Sequence, residues 1–127
     1  MGVSMSIEIN YDETKKILIG VINGKVSVKQ FQGAIKEILT SSSFAPDTNT
    51  LWDLNDLDFS SMDSDMQREF IRIRKNLPER GNAKLAFVAG CDLSYGMMRM
   101  YETLSSELEQ VIMVFRDYDA AEQWLLK

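Results

Sequence analysis

The sequence predicts a single α/β domain, and three observations carry that expectation. From Lys84 onward the chain reads KLAFVAG, CDLSYGMMRMYETLSSELE, VIMVF and RDYDAAEQWLL, that is, strand, helix, strand, helix. Short runs rich in Val, Ile and Phe alternating with helical patterns are the repeating unit of an open α/β sheet. Before Lys84 the same alternation follows an initial pair of strand patterns, so the order is ββαβαβαβα in a mixed, mostly parallel sheet. Finally, the 127 residues contain no linker and no long low-complexity segment, and that length suits one domain with a proper core. The expectation is one domain over residues 1–127, with residues 1–5 frayed.

Each element has its own signal. Ile7, Ile9 and Tyr11 alternate with Glu8, Asn10 and Asp12, the period of a half-buried strand. A turn at Asp12–Lys15 leads into Lys16–Ile22, which is apolar on both faces and so more central; the two strands can pair as an antiparallel hairpin. Asn23-Gly24 ends the second strand. A helix follows from about Ser27 to Thr40, where Ser27 and Gln30 have the spacing of a capping box and Val28, Phe31, Ile35, Ile38 and Leu39 share one face. SSSFAPDTN reads as loop and Thr50–Leu54 as a short third strand. The second helix is predicted over Ser64–Leu77 with Met66, Phe70, Ile73 and Leu77 buried and Ile71 off that stripe. Pro78 and a turn with Gly81 end it. Asp92 is the expected cap of the third helix, whose core face is Leu93, Met97, Met100, Leu104 and Leu108. Asp117 caps the last helix, anchored by Trp124 and Leu125.

Composition removes several function classes. A formal charge of −5 and a pI near 4.7 argue against a duplex nucleic-acid binder. No apolar run reaches the length of a membrane span and the start does not read as a signal peptide, so a cytoplasmic protein without stable membrane insertion is expected. One cysteine excludes an internal disulfide and a cysteine-built metal site. The absence of histidine takes away the usual general base, the commonest transition-metal ligand and the middle member of a hydrolase triad. The expectation is no enzyme, no cofactor, no metal and no hydrolase activity.

The candidate site residues fall in four groups. Asp53, Asn55, Asp56 and Asp58 follow the third strand, and Asp92 and Asp117 follow the fourth and fifth. Parallel strands bring them to one polar edge, where α/β proteins collect ligands. Such oxygens suit a hard cation such as magnesium, but capping explains Asp92 and Asp117 and solvation of a loop explains the rest. Cys91 precedes a helix, a position that lowers a thiol pKa, although a strand-end cysteine is commonly a small buried hydrophobe. Arg68, Arg72, Arg74, Lys75, Arg80 and Lys84 form a basic run, read as a solvated face because Asp65–Arg68 and Glu69–Arg72 are spaced for surface pairs. The fourth group is the expected working surface. Tyr95 and Met98 are off the predicted core face of the third helix and flank Gly96, whose helical cost of about 1 kcal/mol calls for a close approach by a strand or a ligand. Phe59 and Met62 reach the same edge, so Tyr95, Met98, Gly96, Phe59 and Met62 are expected to border one apolar ligand or partner surface.

The WDL strand end, the run DLSYGMMRMYE and the closing VFRDYDAAEQWL resemble the SpoIIAA-like proteins of the broader STAS group, which includes the anti-sigma factor antagonists. The resemblance extends from Ile7 to Leu126. It implies a β/α superhelix with a mixed sheet and a regulatory or ligand-sensing role rather than a catalytic one. It also implies a topology like that of the CRAL-TRIO lipid carriers. The antagonists carry a phosphorylatable serine at a helix start after the third strand. Here that stretch reads DLNDLDFSSMDSDM, with Met62 or Asp63 at the serine position, so dependence on phosphorylation at Ser60, Ser61 or Ser64 is not expected. The expected function is a non-enzymatic module that binds a protein partner or a small apolar ligand, with a homodimer possible. The alternative is a carrier enclosing an acyl or isoprenoid chain, and a carboxylate-based magnesium enzyme ranks third.

Overall fold

The computed structural model describes residues 6–25, 28–40, 45, 48–58, 64–75, 83–105 and 111–127. These form β1 (Ser6–Asp12), β2 (Ile17–Asn23), α1 (Val28–Thr40), β3 (Thr50–Asp53), α2 (Ser64–Lys75), β4 (Lys84–Val88), α3 (Asp92–Leu104), β5 (Val111–Phe115) and α4 (Tyr118–Leu125), the order expected from the sequence. The five strands lie in sequence order in one sheet. β1 and β2 are antiparallel; β2, β3, β4 and β5 are parallel.

The hairpin is set by its turn. The Asp12 carboxylate accepts the backbone N–H groups of Thr14 and Lys15, both at 3.0 Å, and the Lys16 N–H closes on the Asp12 carbonyl at 2.7 Å. Lys16 has φ of 58°, which takes it out of β2 and into the turn. The Lys15 ammonium reaches Glu122 of α4 at 2.8 Å, tying the turn to the last helix.

Adjacent parallel strands taken in sequence order, each joined by a helix, carry α1, α2 and α3 to one face of the sheet. Right-handed crossovers always turn to the same side when the strand order keeps advancing. That face holds the main core: Leu18, Trp52, Phe70, Ile71, Leu85, Phe87, Met98, Tyr101 and Val114 with their neighbours. Phe31 of α1 meets Phe70 of α2 with ring centroids 4.6 Å apart, and Tyr101 of α3 meets Phe87 edge to face at 5.7 Å. Gly20 and Trp52 are register partners, and the indole lies across the glycine: a Cβ at Gly20 would sit 2.4 Å from Trp52 Cε3 and Cζ3. The opposite face is covered by α4, whose Ala121 and Leu125 pack on Ile17, Leu51, Ala86 and Val88, with Trp124 against Phe115.

Two sequence expectations about helix faces are corrected. Ile71, expected off the stripe of α2, is buried. In α3 the buried face is Ser94, Met98, Tyr101 and Ser105; of the expected face, Met97 and Leu104 are half-buried against the core, while Leu93 and Met100 are exposed. Leu93 is 68% and Met100 41% exposed, whereas Met98 is 4% exposed. The two serines make the observed phase workable. Ser94 Oγ bonds the Cys91 carbonyl at 3.1 Å and Ser105 Oγ the Tyr101 carbonyl at 2.7 Å, so their hydroxyls are satisfied locally. Small side chains there let the helix seat Met98 and Tyr101 deeply. Expectations resting on Ser27, Phe59, Ser60, Ser61, Met62, Asp63, Leu77, Pro78, Arg80, Gly81 and Leu108 lie outside the described residues, as do the side chains of Val28, Ile35, Ile38, Leu39, Ser64, Arg74 and Lys75.

Candidate functional site

The parallel strands end together, and their loops form the edge that the sequence singled out. β2 runs on to Gly24, whose N–H bonds the Asp56 carbonyl at 3.1 Å and whose carbonyl accepts the Asp58 N–H at 2.8 Å. A φ of 79° makes glycine the suitable residue at that position. β3 and β4 are continued by Leu54 N–H to the Val88 carbonyl, and β4 and β5 by Ala89 N–H to the Phe115 carbonyl, both at 2.9 Å.

Each polar residue of this edge has a local partner or faces water. The Asp53 carboxylate accepts the Asn55 N–H at 3.1 Å, and the Asn55 carboxamide oxygen accepts the Gly90 N–H at 3.0 Å, which joins the loops after β3 and β4. A Cβ on Gly90 would meet that oxygen at 3.0 Å. Arg116, after β5, donates to Asp92 at 2.7 Å, and its guanidinium lies over the Tyr95 ring at 4.3 Å. Asp117 caps α4, accepting the Ala120 N–H at 3.0 Å. Asp56 is exposed. The carboxylates share the edge without converging: among the described residues no three acidic or thiol groups stand close enough to hold a metal ion.

Cys91, rather than Asp92, caps α3, so that expectation is corrected by one residue. Its Sγ lies 3.0 Å from Ser94 Oγ and accepts the Ser94 N–H at 3.5 Å. These bonds, the Ser94 hydroxyl foremost, hold the thiol below its ordinary pKa. The thiol is exposed, contrary to a buried strand-end cysteine, because the chain turns outward into the helix there. Of the basic run, Arg68 and Arg72 make the surface pairs that their spacing suggests. Arg68 meets Asp65 at 3.6 Å, Arg72 Nε donates to Glu69 at 2.9 Å and lowers the Glu69 pKa, and Lys84 lies over Trp124.

The expected surface around Gly96 is rearranged by the phase of α3. Met98 is core, so it cannot border a surface. Tyr95 is half-buried, packed against the core and covered by Arg116. Among the described residues a Cβ at Gly96 would meet nothing within 4 Å, so close approach to a strand does not explain the glycine. Instead Gly96 lies between Leu93 and Met100 at i, i+3 and i+7, beside the half-buried Met97 and Leu104. Leu93 and Met100 therefore face outward with Gly96 between them along the helix, beside Met97 and Leu104, which pack against the core. The sequence contained this pair but assigned it to the core.

No protein-family model and no curated protein matches the sequence. In three dimensions the chain is similar to the crystal structure of an uncharacterized DUF3478-family protein with a SpoIIAA-like fold from Shewanella loihica PV-4. The TM-score is 0.65 at 16% identity, over 98% of each chain. The fold of this chain is thus SpoIIAA-like, as the sequence resemblance implied. Among the described residues no helix is long and apolar enough to cross a membrane.

Proposed function

We propose that this protein is a non-enzymatic regulatory module that binds a protein partner through the outer face of α3. The observation that carries the reading is the exposed pair Leu93 and Met100, with Gly96 between them along the helix and Met97 and Leu104 half-buried beside them against the core. Methionines adapt their shape to a partner, and a glycine beside them lets a second helix approach closely. An amphipathic helix is the partner chemistry such a face fits. The SpoIIAA-like fold is consistent with a regulatory role. The edge residues support it too, since each of the hydrogen-bonded ones already has a structural task. The test is co-purification from cells of the wild-type chain and of a Leu93→Ser/Met100→Ser variant. A protein held stoichiometrically by the wild type and lost from the variant, at unchanged melting temperature, is the expected result. Equal retention by both would overturn the assignment.

A carrier for an acyl or isoprenoid chain is a second reading, and one observation favours it. Gln67 is fully buried on α2, and neither its Nε2 nor its Oε1 has a hydrogen-bond partner. A buried carboxamide left unsatisfied costs on the order of 1–3 kcal/mol, an odd choice unless a polar ligand group or a water completes it. Native mass spectrometry of protein purified from cells decides this reading. A bound small molecule that is lost in Gln67→Met supports it, and an unliganded mass for the wild type contradicts it.

A further inference from the structure

β5 leaves one side of the sheet open. It is the last strand in the order, and β4 is its pairing neighbour. Its sequence, VIMVF, contains no charge and no proline, two of the devices by which edge strands resist pairing. Val111 is 51% and Met113 39% exposed on the face shared with α4, and Ile112 is half-buried on the other. The opposite edge is built differently. β1 reads SIEINYD, and Glu8 and Asn10 are exposed along it with the Asp12 carboxylate at its end. Among the described residues, one edge carries charged and polar side chains and the other only apolar ones.

We propose that β5 is the interface of a homodimer, in which two copies pair their β5 strands antiparallel about a two-fold axis at Met113. The strand is its own complement in that arrangement. Met113 faces Met113, Val111 faces Phe115 and Ile112 faces Val114, so every cross-strand pair is apolar, and no like charges meet in a chain of net charge −5. Pairing joins two sheets of five strands into one continuous sheet. Its two remaining edges are the guarded β1 strands, so assembly closes at two copies and does not extend into fibres. This self-complementarity selects a second copy over an unrelated strand.

Sedimentation velocity of the full chain over about 1–200 μM tests the proposal, a range set by the weak-to-moderate affinity of a small interface. The wild type is expected to move from its 14.5 kDa monomer to twice that mass. Met113→Lys places two charges face to face at the axis, on a side chain already partly in water. It should remain monomeric throughout the range with an unchanged circular dichroism spectrum, whereas Glu8→Lys on the other edge should dimerise like the wild type. In a Cys91→Ser background, Met113→Cys should form a symmetric disulfide dimer on mild oxidation, because paired positions lie within disulfide reach; Val111→Cys should not. A wild type that stays at 14.5 kDa up to 200 μM overturns the proposal, as does a dimer that survives Met113→Lys. Efficient cross-linking of Val111→Cys in place of Met113→Cys overturns the register.

Discussion

Replacing Gly96 by alanine should make this protein more stable and less functional. Glycine inside a helix costs about 1 kcal/mol relative to alanine, largely because it frees the unfolded chain. Relief of that cost is normally limited by what the new methyl group meets. Here it meets nothing within 4 Å, and the backbone conformation is ordinary for a helix. The expected gain is therefore close to the full effect, about 0.5–1 kcal/mol, or roughly 2–6 °C in melting temperature for a chain of this length. Gly33 of α1 is the matched control: it is also exposed and open above its Cα, so Gly33→Ala should gain a similar amount. The two variants should part in binding. A Cβ at position 96 stands between Leu93 and Met100 and holds a partner helix off, so Gly96→Ala should weaken partner retention while Gly33→Ala leaves it unchanged. Urea denaturation gives the stabilities and quantitative co-purification gives the binding. A destabilised Gly96→Ala would refute the geometry of α3. A stabilised variant with full binding would refute the role given to the glycine.

Other outcomes follow from single contacts. Gly20→Ala drives a methyl into the Trp52 ring, so it should cost about 1–3 kcal/mol or more in urea denaturation; a neutral result would mean the indole moves freely. Ser94→Ala removes the main cause of the lowered Cys91 pKa. The thiol should then ionise at higher pH, and alkylation by iodoacetamide followed against pH should show its midpoint moving up; an unmoved midpoint would take the effect away from Ser94. Lys16→Gly relieves the positive φ in the β1–β2 turn, where a side chain costs roughly 1–2 kcal/mol. After the entropy that glycine adds to the unfolded chain, a small net gain in melting temperature is expected, and a clear loss would contradict the left-handed turn.

Much of the fold was legible because its signals are local. Alternation fixed β1, short β-branched runs fixed β4 and β5, and Asp117 before an apolar-anchored segment fixed the start of α4. The site was harder for one physical reason. Hydrophobic periodicity finds the most apolar stripe of a helix, and in α3 that stripe is only partly buried. Met98 and Tyr101 carry the packing, while Ser94 and Ser105 hide their hydroxyls in backbone bonds that periodicity cannot register. A phase slip of one residue then sends Met98 outward and Met100 inward, as the sequence reading did. The chemistry of the polar edge was not readable, because Asn55 to Gly90 and Arg116 to Asp92 are contacts between loops far apart in sequence.

The outer face of α3 as a docking surface is tested most directly by site-specific photo-crosslinking in cells. A photoreactive residue at Met100 samples that face, and one at Gln123, exposed on α4, samples a surface with no assigned role. The account predicts a discrete adduct with one other protein from position 100 and none from position 123. Adducts of equal yield from both positions, or none from position 100, would contradict it.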